Sequence, residues 1–280
     1  MLQVSCVGAR DLALASIRPH HHSPLASVTN IKRRLGVRAA AGYNRIYDAV
    51  CGRHPALRPW HFQWLAGRPL YGVLAPTLGS LTGNVLDVGC GEKPYAAWAV
   101  RASDYFGIDV APGPRVDAVI EAGAPWPIAG RTFDAVVCTQ VLEHVSDLAD
   151  ARDELVRAIR PGGLAVVSVP FLYHEHGAPH DYRRFSRHGA AELLGNRLEL
   201  VSVTAVGGIG STLAALLLAW IESSLTARGA GLVALTALFP VWLAMCLMVN
   251  GLGLVLDRLD RTGRFYAEVV VVARKPIVER

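Results

Sequence analysis

The chain has 280 residues, of which 52% are hydrophobic and 18% charged, with a formal net charge of +5. Ordinary soluble domains carry about 25% charged residues. A chain this apolar buries enough surface to offset its conformational entropy, which excludes disorder as its main state and hints at a membrane. Its length suits one large domain with additions. The basic residues do not interleave with aromatics, so no nucleic-acid partner is expected.

Residues 1–30 hold Arg10, Asp11 and Arg18 inside any would-be apolar run, followed by His20, His21 and His22. That argues against a secretory signal peptide and predicts a disordered tail whose histidines are solvated rather than chelating. Residues 31–80 form an N-terminal helical region. Its first part is basic, with Lys32, Arg33, Arg34, Arg38 and Arg45, and faces either anionic lipid or plain water. The five cysteines, Cys6, Cys51, Cys90, Cys138 and Cys246, are scattered without C-x-x-C spacing. Neither a disulfide framework nor a zinc knuckle is indicated, and a reducing compartment follows.

From Trp60 to Ala273 short β-branched runs alternate with helical segments, which predicts an α/β sheet of mainly parallel strands. The strands fall at Asn84 to Val88, Asp104 to Ile108, Ala118 to Ile120, Phe133 to Cys138, Leu164 to Val169, Leu198 to Val203 and Tyr266 to Ala273. Helices fit Pro94 to Arg101, Leu148 to Ile159 and Arg187 to Leu194, and Pro161-Gly162-Gly163 ends the second of these.

One stretch does not belong to a soluble sheet. Gly229 through Leu256 is free of charge between Arg228 and Asp257; as a helix it would span about 42 Å, against a hydrocarbon core of about 30 Å. Ser211 to Ala227, with Glu222 as its only charge, reads as a second helix of about 26 Å. If the strands before and after this insert share one sheet, both ends lie on one side of a bilayer, so two crossings or none are allowed. An apolar helical hairpin over residues 206–258 is therefore expected, with its tip near Glu222 to Gly231. Arg258, Arg261 and Arg264 at its base, against Arg228 alone at the tip, place the sheet on the cytoplasmic face of the cell membrane. Pro240 kinks the second helix or marks a re-entrant turn. The alternative is a pair of buried helices that cap the domain or form a dimer interface in the cytoplasm. Oligomeric state is not legible.

The strongest local signal is Val85-Leu86-Asp87-Val88-Gly89-Cys90-Gly91-Glu92-Lys93-Pro94, an apolar strand entering a glycine turn. Glycines let a ligand approach the backbone, and a following helix N-terminus would offer unpaired N–H groups. A dinucleotide fingerprint would place glycine at position 94, where Pro94 stands, so NAD is excluded. A second acidic residue, Asp109, ends the next strand in Tyr105-Phe106-Gly107-Ile108-Asp109.

In these motifs the chain resembles the class I S-adenosylmethionine-dependent methyltransferases, especially the type 11 group, over roughly Trp60 to Gly195 and again at the last strand. The resemblance implies a Rossmann-like, seven-stranded, mainly parallel sheet over residues 81–205, with an antiparallel last strand in 259–280. It implies S-adenosylmethionine as cofactor. Asp87, Gly89, Cys90 and Gly91 would lie beneath its methionine end. Asp109 would accept hydrogen bonds from the ribose diol, with Val110 beside it. Glu121 and Ala122 would meet the adenine, and Gln140, in Phe133-Asp134-Ala135-Val136-Val137-Cys138-Thr139-Gln140-Val141-Leu142-Glu143-His144-Val145, would line the amino-acid portion. Lys93 stands where many relatives keep a third glycine; it either contacts the cofactor carboxylate or points to water.

The segment after the fifth strand, Pro170 to Phe185, is the richest supply of chemistry, at the edge where open α/β sheets place ligands. His180 with Asp181 is a candidate base and orienting carboxylate, and His144 is a competing base. Tyr173, Arg183 and Arg184 are candidate substrate contacts, the arginines for an anionic group; a salt bridge that merely closes the loop is the other reading. His174, His176 and His180 with Glu175 or Asp181 have ligand chemistry for a divalent ion, but their flexible spacing assigns no metal. Three functions stay open. One is a membrane-associated methyltransferase of a lipid-linked or amphiphilic acceptor. Another is a methyltransferase of a soluble small molecule. The third is a non-catalytic cofactor-binding scaffold.

Overall fold

The computed structural model describes residues 42–121, 123–128, 132–227 and 229–277. The expected tail, the basic residues of 31–41 together with Cys6, Ala122 and Arg228, lie outside the described residues. The chain runs through helix α1 over 42–51, then α2 (Trp64–Ser80), β1 (Gly83–Val88), β2 (Ala102–Asp109), β3 (Ala118–Val119), β4 (Phe133–Thr139), α3 (Leu148–Ala158), β5 (Ile159–Pro170), α4 (Arg187–Gly195), β6 (Glu199–Val206), α5 (Ile209–Thr226), α6 (Gly229–Ala237), α7 (Phe239–Leu259) and β7 (Glu268–Arg274).

One seven-stranded sheet has the order β3-β2-β1-β4-β5-β7-β6. Strands β1 to β5 pair in parallel. Strand β7 inserts between β5 and β6 and pairs antiparallel with both, with Pro170 opposite Glu268 and Val206 opposite the same residue. The Rossmann-like sheet with an antiparallel last strand is thus observed. Its central strands are apolar on both sides because both faces are covered. On one face Leu155, Ala190 and Leu194 of α3 and α4 pack with Val136, Val167 and Val271. On the other, Leu70, Leu74 and Leu78 of α2 meet Val85, Val137, Val166 and Val270.

The helix expected over Pro94 to Arg101 is absent; a single 3-10 turn, Ala96–Trp98, stands there. Eight residues make a marginal helix, and here Tyr95 is buried while the Tyr95 and Trp98 rings lie 5.3 Å apart and Trp98 lies 5.7 Å from Tyr71 of α2. Aromatic anchoring fixes the connection instead. Pro161-Gly162-Gly163 also acts differently from expectation. β5 begins directly after α3, and the three residues form a register shift between the pairs Phe133–Ile159 and Ala135–Leu164.

The apolar insert between β6 and β7 is three helices, because the run over 229–256 breaks at Leu238 and restarts with Pro240 in the first turn of α7. Proline lacks an N–H and tolerates that position, whereas mid-helix it would remove a bond. Helices α5 and α7 pack together closely enough that a Cβ on Gly210 would stand 2.0 Å from the Gly253 carbonyl oxygen. Asp257 Oδ1, at the end of α7, accepts from the Gly210 and Ser211 amides at 2.8 and 2.9 Å and so caps α5. Inward, Tyr43, Tyr47 and Cys51 of α1 join Leu218, Leu235, Trp242 and Cys246 in a separate apolar cluster. Asn250 of α7 donates to the carbonyls of Pro59 and His61 at 2.8 and 3.0 Å. Outward, Leu213, Leu217 and Trp220 of α5 and Met248, Leu252 and Val255 of α7 are exposed.

Candidate active site

The C-terminal ends of β1, β2, β4 and β5 collect the acidic residues and glycines picked out in the sequence. Leaving β1, the chain doubles back so that the Gly89 and Cys90 amides donate to the Ile108 carbonyl of β2 at 2.8 and 3.1 Å. Gly91 has φ of +48°, a conformation that L side chains rarely adopt, and nothing lies within 4 Å of where its Cβ would stand. That open space above a glycine backbone is what a cofactor needs for close approach. Asp109 ties the bend down: Oδ2 accepts from the Gly91 amide at 2.9 Å and Oδ1 from Ala111 at 3.0 Å. Spare lone pairs on both oxygens remain for a diol. Val110, next along, is 63% exposed and offers an apolar surface beside it.

Asp87 is buried and accepts from the Tyr105 hydroxyl at 2.8 Å. Burial pushes its carboxyl up to about 7, against the pull of that hydrogen bond and of Lys93. Lys93 does not simply point to water. Its φ of +51° keeps the glycine-like backbone, and its ammonium pairs with Asp117 and donates to the Tyr105 carbonyl at 3.0 Å. Glu121 is exposed, and its expected neighbour at position 122 falls outside the described residues.

Gln140 leaves β4 with φ of +55° and is buried. Its side-chain amide donates to Ser168 Oγ at 3.2 Å and to Glu268 Oε2 at 2.8 Å. Glu268 escaped the sequence reading. Its signal was a lone acid in the apolar strand Tyr266 to Ala273. Because β7 runs antiparallel, that residue arrives at the same edge as the ends of β4 and β5. Burial, reinforced by the neighbouring Glu143 charge, pushes its carboxyl up to about 8.

In the loop after β5 the structure does not make the His180–Asp181 pair. Asp181 grips the Arg184 guanidinium with both oxygens, at 2.5 and 2.7 Å, and accepts from the His176 amide at 2.8 Å. Burial alone would raise Asp181, but these bonds outweigh it and hold the carboxyl at about 2. His180 is exposed and its Nδ1 lies 2.9 Å from the Tyr182 hydroxyl. The arginines close the loop: Arg184 also donates to the Tyr173 and His174 carbonyls at 3.1 and 2.7 Å, and Arg183 to those of Val145 and Ser146. Tyr173 accepts from Gln63 at 3.4 Å. These bonds occupy most of the guanidinium hydrogens. His144, in the 3-10 turn after β4, instead meets His176, with Nε2 atoms 3.2 Å apart. Burial lowers His176 to about 4.

The methyltransferase domain model matches residues 86–167, from β1 into β5. An uncharacterised methyltransferase of a Mycobacterium species is 39% identical over 112 residues, covering 35% of this chain and 44% of that protein. A protein of Mycolicibacterium smegmatis described as a probable S-adenosylmethionine-dependent methyltransferase is 37% identical over 98 residues, 31% of this chain and 38% of its own length. An uncharacterised methyltransferase of Mycobacterium leprae is 32% identical over 187 residues, 60% of this chain and 66% of its own. The chain thus spans less than half the length of two of these relatives. The matched segment carries the glycine bend, Asp109 and Gln140 together, and its open bend fits S-adenosylmethionine as cofactor; over residues 86–167 the chain carries a methyltransferase domain similar to those of the S-adenosylmethionine-dependent methyltransferases.

Proposed function

We propose that this protein transfers a methyl group to a hydroxyl, carboxylate or amine of an amphiphilic or lipid-linked acceptor at the cytoplasmic face of the cell membrane. The observation that carries the transfer is the bend of Gly89, Cys90 and Gly91, open above Gly91 and anchored by Asp109. Bound there, the cofactor supplies an activated methyl on a sulfonium. Asp109 and Val110 would hold its nucleoside end, and Asp87 and Gln140 would line its amino-acid end. Methyl transfer is an in-line displacement, so these residues contribute mainly by alignment. His144 and His176, at the same edge, present ring nitrogens able to take the acceptor's proton. Arg183 and Arg184 act by holding the loop shut over this edge.

The apolar helices support the membrane part of the reading. Ile209–Thr226 and Phe239–Leu259 are long and apolar enough to cross a bilayer by length and composition. Each has one face against the protein and one exposed, so the pair docks on the bilayer by the stripe of Leu213, Leu217, Trp220, Met248, Leu252 and Val255. Arg258, Arg261 and Arg264 are exposed at its base, where each cation near an anionic surface contributes about 1 kcal/mol. The test is to incubate the protein with methyl-labelled cofactor, membranes and cell extract. Label in the lipid fraction is expected; label confined to aqueous metabolites would contradict the acceptor class.

A further inference from the structure

Behind the loop of residues 173–185 three ligating groups converge with no donor between them. Glu143 is fully buried, and neither carboxylate oxygen has a hydrogen-bond partner. A buried carboxylate left so is costly unless something positive stands beside it. His144 Nδ1 lies 2.5 Å from the His180 carbonyl oxygen, which can only accept, so the ring proton sits on Nδ1 and Nε2 carries a bare lone pair. His176 repeats the pattern. Its Nδ1 faces the His174 carbonyl at 3.2 Å and Asp181 Oδ2 at 3.5 Å, again two acceptors. Its Nε2 is therefore bare as well. Yet the two Nε2 atoms lie 3.2 Å apart, and Glu143 Oε1 lies 3.7 Å from one and 4.0 Å from the other. Two lone pairs and a carboxylate oxygen facing one another repel unless a shared proton or a metal cation lies among them.

We propose that Glu143, His144 and His176 hold one divalent transition-metal ion, with Zn2+ the best fit. Two imidazole nitrogens bonded at about 2.0–2.1 Å to a tetrahedral zinc stand about 3.3 Å apart, close to the separation seen, and the carboxylate needs to close by about 0.5 Å. A two-histidine, one-carboxylate set is the donor chemistry of zinc and related ions rather than magnesium or calcium. The partners on Nδ1 fix each ring, as the outer partners of metal-bound histidines do. Three protein ligands leave a fourth position open. The site lies beyond Gln140 at the C-terminal edge of β4, so an acceptor hydroxyl bound at that position would lose its proton more readily. This last role rests on the methyltransferase reading and, in the metal-loaded protein, stands in place of proton uptake by the free His144 and His176 nitrogens; the metal site itself does not rest on that reading.

The test uses the full chain stripped with a chelator and titrated calorimetrically with ZnCl2, then with Co2+ followed by visible absorption. One saturable site is expected, with a Co2+ spectrum of nitrogen and oxygen ligands. E143Q and H176Q should each weaken Zn2+ binding by more than about 100-fold, since losing even an outer partner changes affinity about 10–100-fold. D181N should fall within that smaller range. Both ligand variants should keep the melting temperature of the metal-free protein and their affinity for S-adenosylmethionine, which separates failure of the metal site from failure of the proposed function. Absence of a saturable Zn2+ site, unchanged affinity in E143Q and H176Q, or a thiolate band in the Co2+ protein would overturn the proposal. Should the variants not fold, the Co2+ spectrum of the wild-type chain decides alone.

Discussion

Gln140 at the end of β4 donates to Glu268 at the start of β7 across 2.8 Å, so a buried side-chain hydrogen bond ties β4 to the antiparallel last strand across the intervening β5. The bond lies beside the cofactor bend, and Gln140 reaches it only by holding φ at +55°. Non-glycine residues adopt that region at a cost of about 1–2 kcal/mol. The contact therefore positions a strained residue at the site.

Glu268 also makes stability depend on pH. Its carboxyl is raised from 4.5 to about 8 by burial, so the folded state holds the proton more tightly than the unfolded chain. That contribution is complete below pH about 4.5 and is lost as pH rises toward 8, by at most about 1.4 kcal/mol per unit. Glu268→Gln keeps an acceptor for Gln140 and removes the titration. Urea unfolding at pH 5 and pH 8 should show the wild type losing more stability across the interval than the variant; equal losses would contradict the assignment.

Asp109→Ala should weaken S-adenosylmethionine binding by about 1–3 kcal/mol, the scale of charged hydrogen bonds at a buried group, or about 5- to 150-fold. It removes both the acceptor for the ribose and the anchor of the Gly91 amide. Calorimetry measures it, and an unchanged affinity would contradict the ribose role.

The legibility of this fold was uneven for physical reasons. The central strands β1, β4, β5 and β7 could be read because their apolar runs are local and mostly buried on both sides. The Asp87-to-Gly91 bend and Asp109 could be read because a ligand-binding turn is contiguous. What the sequence hid depends on contacts between distant residues. The connection at Pro94 to Arg101 is decided by Trp98 packing against Tyr71, with the ring centroids 5.7 Å apart. Glu268 joins the site only through the reversal of β7. His176 meets His144 from 32 residues away. Asp181 looked like the partner of its neighbour His180, yet Arg184, three residues on in the same loop, presents a guanidinium that a carboxylate prefers.

The closure of the apolar insert can be tested at Asp257. Asp257→Ala removes the acceptor of two amides at the start of α5 and should cost about 0.5–2 kcal/mol, the range for a lost helix cap. Denaturant unfolding with an unchanged midpoint would contradict the capping role.

The exposed stripe yields a prediction that spares the fold. Trp220 and Leu252 are 67% and 58% exposed, so the double change to glutamate should leave the melting temperature near that of the wild type, as surface substitutions do. Co-sedimentation with vesicles containing anionic lipid should fall sharply. Undiminished sedimentation would contradict docking through α5 and α7.

The account stands or falls on the cradle above Gly91. Titrating the full chain with S-adenosylmethionine in a calorimeter should give a single saturable site whose affinity drops in Asp109→Ala. A flat titration with folded wild-type protein, or full affinity retained when a bulky side chain replaces Gly91, would contradict it.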